Sequence, residues 1–364
     1  MKVHHLINNI SLQKGGAQRL VRQFHSVLKG SEIESCVVAL CGEEEAIDGA
    51  VFLDNDSPYS WRSLISVTNY IRHNCASEDI IHVHLFPALL HASIAVKILG
   101  WKGSLVCTEH NTYNRRRSHP LGKLIDQLVY PTYQRIYCIS CGTHDALQSW
   151  MPQLAHKLVT IENGISLTHT AFHARSSQEK VVIASAGRLH KQKNYGAALR
   201  ALAMLRQKSP AAYNRLEYRI AGVGEEESAL KALSSELSLN DCVKFCGYVD
   251  NILEFYRAAD IFLMPSKWEG FGLAAVEAMN TGLPVIASDV IGLKEIINVP
   301  ETCGVIVSPS HPEEIADAME KLLDSDLRKT LGQNAFNRSS DFSVEGMVSS
   351  YASDYMQLQR SAAR

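Results

Sequence analysis

Short apolar runs alternate with amphipathic stretches from end to end of the chain. This alternation is typical of βαβ units built around parallel sheets. In the first half, strands are predicted at residues 2–7, 35–40, 80–84, 104–108, 135–140 and 157–161. In the second half, they are predicted at residues 181–186, 217–221, 243–246, 261–265, 284–288 and 304–307. The sequence therefore predicts an α/β protein with two doubly wound, Rossmann-like sheets.

Residues 166–180 (SLTHTAFHARSSQEK) are polar and lack periodicity, which is typical of a linker. We predict one domain at residues 1–170, a second at residues 171–342, and a C-terminal helix within residues 343–364. Ligands of doubly wound sheets bind outside the carboxyl ends of the strands. Two such domains therefore imply a cleft between them.

The charge balance gives no reason to expect a nucleic acid partner, since 36 Lys and Arg face 38 Asp and Glu over 364 residues. The N-terminus lacks the succession of regions that marks an export signal. The longest mostly apolar stretch, residues 86–101, is shorter than the roughly 20 residues of a membrane span. These features predict a cytoplasmic protein that is soluble, or peripheral at most.

Nine cysteines are spread thinly along the chain, which fits buried, reduced thiols better than a disulfide framework. Cys138 and Cys141 form a CxxC pair that no second pair completes into a zinc pattern. His82 and His84 share one face of a predicted strand, but the sequence offers no third ligand. We therefore predict neither a bound metal nor a cofactor.

The densest motif is a glycine-containing loop at residues 266–279 (SKWEGFGLAAVEAM), directly after the predicted strand 261–265. Gly270 and Gly272 permit close backbone approach, and a helix beginning near Leu273 directs free N–H groups toward an anion such as a diphosphate. Glu277 can accept hydrogen bonds from two neighbouring hydroxyls, as in a ribose, and Glu269 lies deeper in the loop. Alternatively, both glutamates only solvate the start of the helix. Spacing alone does not decide between these interpretations.

A second strand end, at residues 186–194 (AGRLHKQKN), carries the cations Arg188 and Lys193. Fixed cations stabilise the negative charge of a departing diphosphate more than they stabilise the ground state. Asn194 is predicted to cap the helix that follows. The alternative is an exposed basic loop without a function.

Glu269, seven intervening residues and Glu277 together resemble the EX7E motif of retaining glycosyltransferases of family 4. The resemblance implies the GT-B fold, in which the C-terminal helix packs back on the N-terminal domain. It implies that Glu269 contacts the transferred sugar and that Glu277 holds the ribose. It assigns Arg188 and Lys193 to the diphosphate, as catalytic residues beside Glu269. The donor-binding residues implied in this motif are Gly270, Phe271, Gly272, Leu273 and Glu277.

The resemblance also implies roles for residues outside this motif. It places the turn at Gly15 and Gly16 beside the donor phosphates, although the turn has neither the GxGxxG nor the P-loop pattern. It makes His110 a catalytic candidate near the donor sugar, and it puts the nucleotide base near Gly247 and Tyr248. From the residues alone, the glycine pair also fits a simple tight turn, and His110 also fits a loop histidine bonded to backbone.

The one concentrated basic run consists of Arg115, Arg116 and Arg117, followed by Lys123. Each such residue contributes about 1 kcal/mol near an anionic lipid surface. We predict that these four residues contact an anionic acceptor or a membrane. The alternative is a solvated loop.

By resemblance, the expected activity is transfer of a hexosyl or N-acetylhexosaminyl group from a UDP-linked or other nucleoside diphosphate sugar to an acceptor hydroxyl, with retention. The expected acceptor is a glycan or lipid-linked glycan in surface polysaccharide synthesis (O-antigen, capsule or exopolysaccharide) at the inner face of the cytoplasmic membrane. The alternatives are a GT-B phosphorylase, a sugar-nucleotide epimerase, or a protein that binds sugar nucleotides without turnover.

Overall fold

The computed structural model describes residues 1–11, 15–29, 32–42, 47, 49–53, 55–168, 180–297 and 303–362. The chain divides into two compact units, which we call the N-terminal unit (Met1–Gly164 with Val344–Arg364) and the C-terminal unit (Ile165–Ser343). The predicted domain boundary at residues 170 and 171 lies outside the described residues.

The N-terminal unit is built on a parallel sheet. In the described part of this unit, seven strands lie in the order β3-β2-β1-β4-β5-β6-β7. The strands are β1 (Lys2–Ile7), β2 (Glu34–Ala39), β3 (Val51–Phe52), β4 (Ile80–His84), β5 (Ser104–Glu109), β6 (Arg135–Cys138) and β7 (Leu158–Thr160). The helices are α1 (Gly16–Leu28), α2 (Trp61–Asn74), α3 (Ala88–Leu99), α4 (Gly122–Val129), α5 (Cys141–Trp150) and, from the chain's end, α14 (Val344–Ala362).

The C-terminal unit repeats this architecture. Its described residues form a six-stranded parallel sheet in the order β10-β9-β8-β11-β12-β13. The strands are β8 (Val181–Ala186), β9 (Leu216–Ala221), β10 (Val243–Gly247), β11 (Ile261–Met264), β12 (Val285–Ser288) and β13 (Gly304–Val307). The helices are α6 (Tyr195–Lys208), α7 (Pro210–Tyr213), α8 (Glu227–Glu236), α9 (Ile252–Arg257), α10 (Leu273–Met279), α11 (Ile291–Ile297), α12 (Pro312–Lys321) and α13 (Ser325–Ser339).

The C-terminal helix α14 packs back on the N-terminal unit, as the resemblance implies. Tyr351 and Tyr355 are fully buried in an apolar cluster that also holds Val3 and Phe24. Their rings are amphipathic, so each hydroxyl needs a polar partner inside the core. The Tyr355 hydroxyl lies 2.5 Å from Nδ1 of His82. The terminal helix is therefore tied to the sheet by polar as well as apolar contacts.

The cysteine prediction is correct for some residues and wrong for others. Cys138 is buried, but Cys141 and Cys246 are exposed. Cys141 is the first residue of a surface helix, and Cys246 lies on β10, an edge strand whose side chains alternate between the protein and the solvent. Of the helices that the structure describes, none has the length and apolar character needed to cross a bilayer.

Candidate active site

Three loops of the C-terminal unit meet backbone to backbone at the carboxyl ends of β8, β9 and β10. The Gly187 amide donates to the Ala221 carbonyl at 3.0 Å, and the Gly222 amide donates to the Gly247 carbonyl at 2.6 Å. A Cβ on Gly222 would lie 2.0 Å from the Gly187 carbonyl oxygen. Glycine is required at 222 for this reason and because its φ is +139°. The loop that carries Arg188 therefore has a firm backbone support.

Lys193 and Glu269 form an ion pair at the same edge of the sheet. Lys193 Nζ donates to Glu269 Oε1 at 2.7 Å, and the two side chains are 18% and 8% exposed. The lysine reaches the glutamate past Gly187, where a Cβ would lie 3.2 Å from Lys193 Cε. The ion pair therefore holds a negative and a positive group in a defined geometry at the carboxyl edge of the sheet.

Hydrogen bonds join the Lys193 turn to the Glu269 loop. The Gln192 side-chain amide donates to the Trp268 carbonyl at 2.8 Å, and the Lys267 amide donates to the Gln192 carbonyl at 2.8 Å. Asn194 lies at the predicted N-cap position of α6 but makes no capping bond there. Its amide instead donates to the Pro265 carbonyl at 3.0 Å, so this residue ties the two loops together.

Arg188 differs from Lys193 in its surroundings. It follows β8 directly, next to the strand that leads to Glu269, and its side chain is exposed. Among the described residues, no hydrogen-bond or ion-pair partner is found for its guanidinium group. An arginine that is fixed at a strand end and not paired within the protein is available to an anionic ligand.

Glu277 is held by Tyr256, a residue that the sequence analysis did not select. The Tyr256 hydroxyl donates to Glu277 Oε2 at 3.3 Å, and the Tyr256 side chain is buried. Glu277 is the fifth residue of α10 and is partly exposed. A buried tyrosine hydroxyl needs a polar partner, but sequence spacing does not identify that partner.

Of the residues between the two glutamates, Phe271 packs in the core and Gly272 shapes the backbone of the loop. Phe271 is buried with its ring edge against Phe342, at a centroid distance of 5.5 Å. A ligand can therefore meet Phe271 at the backbone but not at the ring, which sharpens the prediction for this residue. Gly272 has φ of +111°, and a Cβ there would lie 2.5 Å from Leu293 Cδ2. This glycine allows the loop to turn into α10 against α11.

Gly292 supports the backbone of Glu269, since a Cβ at 292 would lie 2.7 Å from the Glu269 carbonyl oxygen. We expect Gly292→Ala to lower turnover by about 10-fold to 100-fold, because small displacements of a reacting group are costly. The change in the free energy of unfolding should be small, because alanine is favoured over glycine in a helix by about 1 kcal/mol, which offsets part of the strain of the new Cβ. Turnover and urea unfolding measure the two effects. The control is Gly196→Ala in α6, where the new Cβ meets flexible side chains, and equal turnover in both variants would contradict the expectation.

The predicted base-binding residues lie at the end of the edge strand β10. Gly247 has φ of +65° with open space around its Cβ position, and Tyr248 is exposed. Open space and an exposed ring are compatible with a stacking platform for a base. The assignment of the base to this position stays a prediction.

In the N-terminal unit, the predicted glycines and His110 lie at one edge of the sheet. Gly15 precedes α1 with φ of +147°, and Gly15 and Gly16 are exposed after β1. His110 follows β5, and its Nε2 lies 3.2 Å from Nδ1 of His84. Burial lowers the pKa of His110 to about 4. His110 is therefore neutral near pH 7.

The prediction that His82 and His84 lack a third nitrogen ligand nearby is wrong. His5 pairs with His82 across β1 and β4, and ligand nitrogens of the three residues lie within 4.8 Å of one another. However, both nitrogens of His82 already face hydroxyl groups, of Tyr355 at 2.5 Å and of Thr108 at 2.6 Å. The arrangement is that of a hydrogen-bonded cluster, and the expected absence of metal stays a prediction. We call His5, His82, His84 and His110 the histidine cluster.

The structure contradicts the prediction of an exposed basic surface at Arg116 and Arg117. Arg117 pairs with Glu109 at 2.8 Å and Arg116 with Asp126 at 2.7 Å, and the arginine side chains are 10% and 11% exposed. Their charges therefore serve the packing of the loop against α4 and the end of β5. The side chain of Arg115 lies outside the described atoms, and Lys123 is exposed, with Nζ 5.3 Å from the Trp150 ring centre.

Two family models match the two halves of the chain. The model described as Glycosyltransferase Family 4 matches residues 14–169, and the model described as Glycosyl transferases group 1 matches residues 169–338. The two matches adjoin at residue 169, close to the predicted linker.

Several curated relatives match parts of the chain. The lipopolysaccharide core biosynthesis mannosyltransferase LpsB of Rhizobium meliloti is 36% identical over 37% of this chain and 39% of its own length. The D-inositol 3-phosphate glycosyltransferase of Corynebacterium jeikeium is 35% identical over 49% of this chain and 43% of its own length. The chain thus spans about two fifths of these two relatives. An uncharacterized glycosyltransferase of Haemophilus influenzae is 24% identical over 95% of this chain and 98% of its own length.

Solved structures share the fold. Anabaena HepE, in complex with UDP and glucose, is 20% identical and has a TM-score of 0.82, with 98% of this chain and 100% of that chain covered. Sucrose-phosphate synthase from Thermosynechococcus elongatus is 19% identical with a TM-score of 0.80, over 99% of this chain and 100% of that chain. These similarities, together with the two parallel sheets, confirm the predicted GT-B fold class.

Proposed function

We propose that this chain, which belongs to the glycosyltransferases of family 4 and group 1, moves a glycosyl group from a nucleoside diphosphate sugar to an acceptor hydroxyl. The observation that carries the proposal is the Lys193–Glu269 ion pair at 2.7 Å. Glu269 lies on the loop that continues into α10 and Glu277, and Lys193 lies on the turn that follows Arg188. Two acids and two cations are thus supported by one edge of the C-terminal sheet.

Each group has a role that its surroundings support. The Arg188 guanidinium has no hydrogen-bond or ion-pair partner in the described part of the chain. It can therefore donate hydrogen bonds to a diphosphate without breaking an existing contact. Glu277, oriented by Tyr256, can accept hydrogen bonds from the two ribose hydroxyls. Lys193 adds positive charge where the leaving diphosphate becomes more negative, and such fixed charges lower the barrier without reorganisation.

We assign retention of the anomeric configuration to the reaction. Glu269 is engaged in an ion pair with Lys193, so we do not assign it the role of general base. The leaving diphosphate oxygen can itself take the proton of the acceptor hydroxyl on the face that it departs from. The anionic Glu269 then stabilises positive charge that develops on the transferred sugar.

The finer assignments rest on the relatives. HepE is described in complex with UDP and glucose, and LpsB is named a lipopolysaccharide core mannosyltransferase. We propose a UDP-linked hexose or N-acetylhexosamine as donor and a surface glycan or lipid-linked glycan as acceptor. The reaction would take place at the inner face of the cytoplasmic membrane, with no metal required.

An apolar stripe on α4 and the residue before it is the membrane contact that we propose in place of the buried arginines. Leu121, Leu124 and Leu128 follow one another at helical spacing and are 57%, 54% and 62% exposed. Lys97 borders the stripe, since its Nζ donates to the Leu128 carbonyl at 3.0 Å, and Lys123 is exposed beside it. Leucines that enter the headgroup region and lysines that meet anionic phosphates together suit an anionic bilayer.

Leu124→Glu is expected to weaken binding to vesicles of phosphatidylglycerol and phosphatidylcholine by about tenfold or more, because a buried leucine contributes about 1.5–3 kcal/mol. Vesicle sedimentation measures the partition coefficient. The matched control is Met204→Glu, an exposed apolar residue on α6 of the other unit, which should leave the partition coefficient unchanged. Equal binding by wild type and Leu124→Glu would exclude this stripe as the contact.

The direct test of the function is a screen of UDP-, GDP- and ADP-sugars for nucleotide release that depends on an acceptor, with the anomeric configuration of the product determined by NMR. Release that requires an acceptor and gives a retained product supports the proposal. Release that requires inorganic phosphate instead would identify a phosphorylase. Binding without release across all donors and acceptors would identify a sensor.

A further inference from the structure

Three imidazoles of the histidine cluster form a line that ends at His110. His5 Nδ1 lies 3.2 Å from His84 Nε2, and His84 Nδ1 lies 3.2 Å from His110 Nε2. His5 and His84 are fully buried, and His110 is 9% exposed. The three rings come from adjacent positions of the sheet, on β1, on β4 and directly after β5. The line therefore runs from the core to the sheet edge where ligands of this fold bind.

The proton positions in this line are coupled. A neutral imidazole has one N–H donor and one acceptor nitrogen. If both contacts are hydrogen bonds, His84 donates to one neighbour and accepts from the other. Two arrangements remain. With the protons directed inward, His110 donates to His84, His84 donates to His5, and His5 carries its proton on Nε2. With the protons directed outward, His5 donates to His84, His84 donates to His110, and His110 carries its proton on Nδ1. The tautomer of His110 is therefore set by its partners and not by its own preference.

The inner end of the line decides between these arrangements. His5 Nε2 is buried and has no hydrogen-bond partner among the described residues. If the protons pointed inward, this atom would be an unpaired N–H donor in the core, which is rare in folded proteins. If the protons point outward, His5 Nε2 is an acceptor with an unpaired lone pair, and no N–H donor is left unpaired in the core. The outward arrangement leaves His110 with its proton on Nδ1.

The acid that acts electrostatically on His110 is held by other groups. Glu109, the acid next to His110 in the chain, accepts from the Tyr130 hydroxyl at 2.6 Å and from Arg117 at 2.8 Å. Its carboxylate is thus committed to other groups. The ring of His82 packs on that of His84 at a centroid distance of 4.1 Å, but its nitrogens face Thr108 and Tyr355. His82 therefore packs beside the line without taking part in it.

We propose that His84, supported by His5, is a positioning residue that holds His110 as its Nδ1–H tautomer, a neutral hydrogen-bond donor toward an oxygen of a ligand bound at the carboxyl edge of the N-terminal sheet. This inference rests on the proposed function for the identity of the ligand, but the tautomer is a property of the free protein. In metal sites, replacement of a group that orients a ligating histidine lowers metal affinity or activity by about 10-fold to 100-fold, and we expect a loss of the same order here.

The test is the long-range ¹H–¹⁵N NMR spectrum of ligand-free protein with ¹⁵N-labelled histidine, in which His110 is assigned by its absence from His110→Gln. We expect the proton of His110 on Nδ1 in the wild type. In His84→Leu we expect it on Nε2, the form that free histidine prefers. His144→Gln, which removes a histidine bonded to Thr160 outside the line, should leave the His110 signals unchanged.

A wild-type His110 that carries its proton on Nε2 overturns the proposal, as does an unchanged tautomer in folded His84→Leu. The wild-type spectrum decides even if His84→Leu fails to fold. Once a donor is identified, His84→Leu should lose about 10-fold to 100-fold in kcat/KM while its affinity for the free nucleoside diphosphate stays the same. If no donor is ever turned over, the proposed function fails, but the spectrum still tests the tautomer.

Discussion

Glu269→Gln is expected to lower turnover of the donor by about 10²–10³-fold, the loss seen when one preorganised transition-state contact is removed. Glutamine keeps the size of the side chain but removes the negative charge that pairs with Lys193 at 2.7 Å. The amide can no longer stabilise positive charge on the transferred sugar, and Lys193 loses its anionic partner. The measurement is kcat with saturating donor and acceptor, together with an unfolding curve to show that the fold is intact.

Two further variants make this expectation specific. Glu254→Gln changes a surface glutamate that pairs with Arg257 in the same unit, and it should keep full turnover. Lys193→Met should lose activity as Glu269→Gln does, and the double variant should lose much less than the product of the two losses, because the residues act as a pair. Near wild-type turnover of Glu269→Gln would remove the main support for the proposed function.

The N-terminal unit is expected to lose stability steeply as the pH falls from about 6.5 toward 4. Burial is the main cause that lowers the pKa of each histidine of the cluster, to about 3 for His5, to about 4 for His110 and well below 6.5 for His82 and His84. Neighbouring histidines lower the pKa values further, and Glu109 opposes this at His110. In the unfolded chain these residues titrate near 6.5, so the unfolded state binds more protons throughout this range.

The sign follows from proton linkage: stability rises with pH wherever the unfolded state binds more protons. Each histidine contributes a slope of about 1.4 kcal/mol per pH unit well below the unfolded pKa, and the four together contribute about 5.5 kcal/mol per pH unit. Above about pH 8 the contribution is constant, because the histidines are then neutral in both states. Urea unfolding at several pH values, followed by tryptophan fluorescence, measures the slope, since Trp61, Trp101 and Trp150 lie in this unit.

A variant without one of the histidines isolates the cause. His5→Phe removes one titrating group and should reduce the slope by about 1.4 kcal/mol per pH unit. His73→Gln, on the exposed part of α2, should leave the slope unchanged. A free energy of unfolding that is constant between pH 6.5 and pH 4.5 would show that the histidines are protonated in the folded protein.

The fold was predictable because its signal is local and repeated. Twelve predicted strands correspond to strands of the structure, with ends that differ by at most two residues. The two-residue strand Val51–Phe52 was missed because so short a segment carries no periodic pattern. The glycine loop with Glu269 and Glu277 was found because the residues that need special backbone geometry are contiguous in sequence.

The contacts between distant segments were not predictable. Arg116 and Arg117 form a basic run in sequence, but their partners Asp126 and Glu109 become visible only when the loop folds onto α4 and the end of β5. His5 joins His84 because β1 pairs with β4 in one particular register. Gly292 likewise meets Glu269 only in three dimensions. The spacing of residues within one helix or strand can be predicted from a sequence. The register between strands and the contacts between distant elements cannot.

The proposed nucleoside diphosphate site is tested most directly by a calorimetric titration of UDP, GDP and ADP into the wild type and into Arg188→Gln. We expect that one of the three nucleotides binds the wild type and that its affinity falls by about tenfold or more in Arg188→Gln, because a charge-assisted contact contributes about 1.5–3 kcal/mol. Failure of all three nucleotides to bind, or equal affinity in both proteins, would contradict a nucleoside diphosphate site at this edge of the C-terminal sheet.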